Sequence, residues 1–236
     1  MSMTAWQAGI RLSSRLARIG AIFGSPLFVS GNKPMRRIGW TMVLLLVAAT
    51  GFAQTRKQVG QVKGQAVYSD QIVGKTAQER SEAARDLFMK PIVQGWARQH
   101  AVQFKLSPEE AARLADDIRA YAACSGSGYA LPENPAMRDK VLQGLGGNVK
   151  LQKALYDAFG GGRVLFQQGG VEAFDATRKL LEQKEASGEF SFTDPQVREL
   201  AYGYWTGDHG AMMLSEPGQI ARALDIRSIV ARCPGK

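Results

Sequence analysis

Residues 35–53 constrain this chain more than any other stretch, because they read as a segment that is removed before folding. Met35-Arg36-Arg37 is a short basic start, and an almost entirely apolar run over 38–49 follows it. Gly51-Phe52-Ala53 then sets small residues at both ends of a tripeptide, the pattern a signal peptidase cuts, and places cleavage between Ala53 and Gln54. The competing reading is an inner-membrane anchor formed by an uncleaved leader. Residues 38–53 number only 16 and include two glycines and two threonines, whereas a spanning helix needs about 18 or more predominantly apolar residues. The expectation is a leader that meets the membrane only in transit and leaves a periplasmic or secreted product. Residues 1–34 carry Arg11, Arg15, Arg18 and Lys33, no acid, and an amphipathic stretch near 10–23. With an export signal directly behind it, this stretch reads as a non-native upstream extension, with Met35 as the start.

Removing the leader changes the electrostatics. The chain carries +9, but six basic residues and no acid lie within residues 1–53, so residues 54–236 carry +3. That charge is spread out, and no Lys/Arg cluster with interleaved aromatics marks a nucleic-acid surface. The remaining 183 residues suffice for one sizeable domain, read here as helical regions 54–130 and 131–236 sharing a core. Both cysteines, Cys124 and Cys233, fall in it. In an oxidising compartment they are expected to pair, closing a 109-residue loop for about 4–5 kcal/mol in the chain-entropy picture. Two distant cysteines and two histidines lack metal-ligand spacing, and no metal or cofactor is expected.

The pattern predicts a mainly α, irregular multi-helix domain with at most one small N-terminal β-hairpin. Residues 61–67 form that hairpin around Gly64. Leu87, Phe88, Ile92, Val93 and Trp96 mark a helical stripe within 77–104, which Pro91 must kink or break. Ser107-Pro108 with Glu110 opens the next helix through a capping box. Asn134-Pro135 begins a short helix that the glycines of 144–147 stop, and a separate one covers 149–159. An extended piece at 163–167, a helix over 171–186, another from Pro195 after Thr193 or Asp194, and a last one over 218–230 complete the chain.

No catalytic residue can be assigned. The glycines at 144–147 and 160–162 do not match phosphate-loop spacing and read as helix stops. Arg163, Gln167, Asp175 and the pair Asp208-His209 form an alternative polar site, since a carboxylate beside an imidazole suits general base work. A plain turn at 207–210 accounts for the pair as well. Phe88, Met89, Trp96, Trp205, Met212 and Met213 are candidates for an apolar peptide-binding groove, because methionine and aromatic side chains adapt to varied apolar partners.

The order of features from Val59 to Ile118 resembles the opening of SurA-type periplasmic chaperones. A short strand and glycine turn lead through Val67-Tyr68-Ser69-Asp70 to a helix entry. A long helix over 84–103 follows, and then the capped Leu106-Ser107-Pro108-Glu109-Glu110. No stretch resembles the parvulin isomerase domain of many members. The resemblance implies a helical cradle for unfolded or extended polypeptides and no catalytic residue. The expectation is a chaperone-like, polypeptide-binding protein of the envelope. The alternatives are an envelope hydrolase using the polar residues above, and a structural domain docking on one fixed partner.

Overall fold

The computed structural model describes residues 56–125, 130–167 and 170–230. The expected leader, the stretch upstream of it and Cys233 lie outside these residues.

Local chemistry sets the first three helices. Thr76 caps α1 (Ala77–Phe88) in a capping box: its hydroxyl accepts from the Glu79 amide at 3.1 Å, and the Glu79 carboxylate accepts from the Thr76 amide at 3.2 Å. Pro91 cannot continue that helix, so the chain restarts after Met89 as α2 (Lys90–Gln99) with the proline in its first turn. The Ser107–Glu110 box opens α3 (Pro108–Ser125) with reciprocal bonds of 3.2 and 2.8 Å.

Asn134 caps α4 (Pro135–Ala158), accepting from the Met137 amide at 3.1 Å. This helix corrects an expectation. The glycines of 144–147 do not stop it; it runs unbroken for 24 residues. Two of them mark close packing instead, since a Cβ on Gly146 would lie 2.8 Å from Leu106 and Ile226 methyls, and one on Gly147 3.1 Å from the Phe104 carbonyl oxygen.

The mainly α character holds, but the β content exceeds one hairpin. β1 (Gln58–Val62) and β2 (Gln65–Tyr68) form the expected hairpin, turning through Lys63 and Gly64, both with positive φ, as a two-residue type I′ turn demands. β1 also pairs antiparallel with β5 (Phe190–Phe192), Gln61 opposite Ser191, to give the order β2-β1-β5. A second sheet has the order β4-β3-β6, from β3 (Val164–Gln167), β4 (Gly170–Glu172) and β6 (Met213–Leu214). Strands of two or three residues carry no readable period; partners far along the chain make them strands.

Pairing of Gly170–Glu172 with β3 delays α5 to Phe174–Ala186, three residues later than the pattern suggested. Asp194 caps α6 (Pro195–Thr206), its carboxylate accepting from the Gln196 amide at 3.0 Å. The last expected helix is shorter than 218–230. α7 (Pro217–Ala223) ends, and Asp225 caps a separate 3-10 turn, Ile226–Ser228, by accepting from the Arg227 amide at 3.0 Å.

The main core joins β1, β2 and β5 to α1, α2, α5 and α6 around fully buried Phe88, Met89, Phe174, Leu181 and Phe190. Residues on both sides of position 130 build it, so the two expected regions are interleaved. Smaller clusters sit under α4, centred on Leu155 and Leu180 and on Val149 and Val164. A fourth joins α3 and α4 through Leu114, Ile118 and Leu142. Among the described residues, no helix is long and apolar enough to cross a membrane.

Candidate functional site

Helices α1 and α6 pack along one another, pinned where the Ser81 hydroxyl donates to the Leu200 carbonyl at 2.7 Å. Beside the buried Ala84 and Phe88, α1 bears Gln78, Ser81 and Arg85, spaced three and four apart and hence aligned. α6 answers with Gly203 and Tyr204, and the following turn adds Gly207 and His209. These seven residues line a cleft of about 390 Å³.

Tyr204 organises its inner wall. Its hydroxyl donates to Glu172 Oε2 at 2.6 Å, while the Trp205 indole N–H donates to Glu172 Oε1 at 3.1 Å. Both oxygens of the carboxylate, carried on β4, are thus engaged. Burial and the neighbouring Glu172 charge push the Tyr204 phenol well above its ordinary range, opposed by the Arg85 cation and the Gln167 amide. The phenol stays protonated and serves as a donor.

Arg85 lies over this wall, its guanidinium carbon 4.4 Å from the Tyr204 ring centre and 6.0 Å from that of Trp205. Cation–π attraction holds it there. Its Nε is buried and meets no hydrogen-bond partner, and no carboxylate among the described residues pairs with it. Leaving a buried donor unmet costs roughly 1–3 kcal/mol.

His209 Nε2 lies 2.9 Å from the Tyr204 carbonyl oxygen. A carbonyl only accepts, so Nε2 carries the proton and donates. The ring stands edge-on to Phe174 and Tyr204, with centres 5.1 and 5.0 Å away.

Of the five polar residues singled out from the sequence, His209 lines the cleft, and the other four join one another or its neighbours Phe174 and Tyr204. Arg163 and Asp175 form a fork, Nε–Oδ2 at 3.0 Å and Nη2–Oδ1 at 2.9 Å, and the Arg163 amide donates to Oδ2 at 2.7 Å. Burial raises the Asp175 carboxyl, but Arg163 outweighs it and holds the group below its ordinary range. Asp208 acts on Arg163 through charge, Gln167 acts on the Tyr204 hydroxyl, and Arg163 faces the Phe174 ring at 5.5 Å. Asp208 also accepts from the Gly210 amide at 2.8 Å, closing a turn. Each of these groups has a structural partner, and the one serine in the cleft spends its hydroxyl on a carbonyl. Among the described residues of this site, no nucleophile stands beside a base.

The six apolar candidates are not brought into one groove. Phe88 and Met89 are fully buried, and Trp96 and Trp205 nearly so, packed as core. Met213 is half-buried in β6, and only Met212 is well exposed, at 44%. Met212 ends the 3-10 turn Gly210–Met212, which lies against β3 with its exposed Phe166. Cys124 sits exposed in the last turn of α3. Among the described residues, no group of three His, Cys, Asp or Glu side chains could hold a metal ion.

Arg85, Glu172, Gln78 and Gly203 escaped the sequence reading. The 78-81-85 spacing was a usable signal for a polar stripe on α1. Its conjunction with Gly203 and Gly207 was not, because α1 and α6 are more than a hundred residues apart. A wider and shallower depression of about 730 Å³ borders the start of α1, but Glu79 in its lining is already used in capping.

Comparison with family models, with curated proteins and with solved structures finds no match.

Proposed function

We propose that this is an exported protein that binds polypeptide and serves envelope protein folding in a chaperone-like role. The leader at residues 35–53 supports the compartment. The observation that carries the binding reading is the α1–α6 cleft, whose walls at Gly203 and Gly207 bear no side chains. A Cβ at Gly203 would meet nothing within 4 Å, so an extended chain can come close to the helix backbone there. From His209 the surface continues to exposed Met212 and Phe166, an adaptable apolar margin of the kind that suits varied partners. The contact surface is therefore this cleft and its margin, and not a groove built from Phe88, Met89 and Trp96.

A light-scattering assay tests it. At an equimolar ratio the protein should suppress aggregation of a urea-denatured outer-membrane protein diluted into buffer. Aggregation at the unassisted rate sinks the proposal.

A further inference from the structure

We propose that the α1–α6 cleft holds a carboxylate group, with Arg85 as its anchor. This deepens the polypeptide-binding reading of the same cleft and rests on it: the carboxylate is an acidic side chain or the C-terminus of the bound chain.

Three observations converge. Arg85 is a cation without an anion: its Nε is buried, and no carboxylate among the described residues pairs with it. Glu172, which Tyr204 and Trp205 hold from the far side of the wall's rings, makes no ion pair with Arg85. The guanidinium carbon sits over the Tyr204 ring, and a guanidinium's N–H donors lie in its own plane, where two parallel bonds match one carboxylate.

Charge selects among anions. Among the described residues, Arg85 is the only lysine or arginine lining the cleft, so a single negative charge is balanced and a doubly charged phosphate is not. The cleft, at about 390 Å³, takes a side chain and the backbone that carries it, and its open Gly203 wall is the approach.

The probe is sodium benzoate, added to the full chain while the arginine Nε–H resonances are followed by ¹⁵N NMR. The Arg85 Nε–H signal, assigned by its loss in Arg85→Met, should shift and saturate with benzoate and stay put with benzamide. Gly203→Leu enters the cleft from a Cβ that meets nothing within 4 Å, so its Arg85 signal should persist and no longer respond. Arg85→Met removes an unmet buried donor and keeps an apolar stem over the ring, so it should fold. An end-capped peptide with one glutamate should bind at least tenfold more weakly to Arg85→Met, and its glutamine counterpart equally to both proteins.

An Arg85 signal that moves no more with benzoate than with benzamide overturns the carboxylate site. So does a response that survives Gly203→Leu, or a glutamate peptide that binds both proteins alike. If benzoate binds as expected and aggregation is not suppressed, the polypeptide reading falls and the site stands. If aggregation is suppressed equally by wild type and Arg85→Met, that reading stands and Arg85 is not its anchor.

Discussion

At the scale of single residues, the Arg163–Asp175 fork shows a polar pair holding loop, strand and helix together. The Asp175 side chain is 22% exposed and accepts three bonds from Arg163, one of them from the main chain. It fixes the start of α5 against the segment entering β3. Arg163 is 45% exposed, so water screens part of the attraction, and Asp175→Asn should cost about 1–2 kcal/mol at pH 7. The pH dependence follows from the direction of the shift. The folded carboxyl lies below the ordinary value of 3.8, so its stabilisation is present above that value and is lost as pH falls through the folded one. Urea midpoints of wild type and variant should differ at pH 7 and converge toward pH 2.5. A gap that stays constant across that range would show that the charge contributes nothing.

At the scale of elements, the glycines of α4 separate two roles that look alike in sequence. A Cβ on Gly144 meets nothing within 4 Å, whereas buried Gly146 lies against Leu106 and Ile226. Gly144→Ala should therefore stabilise the protein by about 0.5–1 kcal/mol through helix propensity. Gly146→Leu should destabilise it by about 2 kcal/mol or more by overpacking the α3–α4 contact. Thermal unfolding of the two variants checks both signs, and a shift of the same sign in both would refute the distinction. This contrast marks how far the sequence could be read. Caps at Ser107, Asn134 and Asp194, the Pro91 break and the β1–β2 hairpin were legible because their causes lie within a few residues. The continuity of α4, the strands β4, β5 and β6 and the α1–α6 cleft depend on groups that only folding brings near. The polar cluster around Arg163 and Asp208 could be named from the sequence but not arranged, since its organising rings, Phe174 and Tyr204, lie on separate helices.

At the scale of the molecule, the chain closes on itself twice. β5 returns to β1, and the tail returns to α3, where Ile226, Ile229 and Val230 pack on the cluster of Leu114 and Ile118. The second closure bears on the cysteines. Cys124 lies six residues beyond Ile118 on α3, a rise of about 9 Å, and Cys233 follows Val230 by three residues, a reach of roughly 10 Å. The described tail thus brings the chain onto α3. The Cys124–Cys233 pairing proposed from an oxidising compartment would tie this tail to α3. Among the described residues, the tail beyond α7 docks through the small 3-10 turn, Ile229 and Val230, and a covalent tie would add to these contacts. Thiol titration of the denatured, unreduced protein should find no free cysteine, and reduction should lower the urea midpoint. The full chain-entropy gain of about 4–5 kcal/mol sets the upper limit of that loss. Two reactive thiols before reduction would show that apolar packing alone holds the tail to α3.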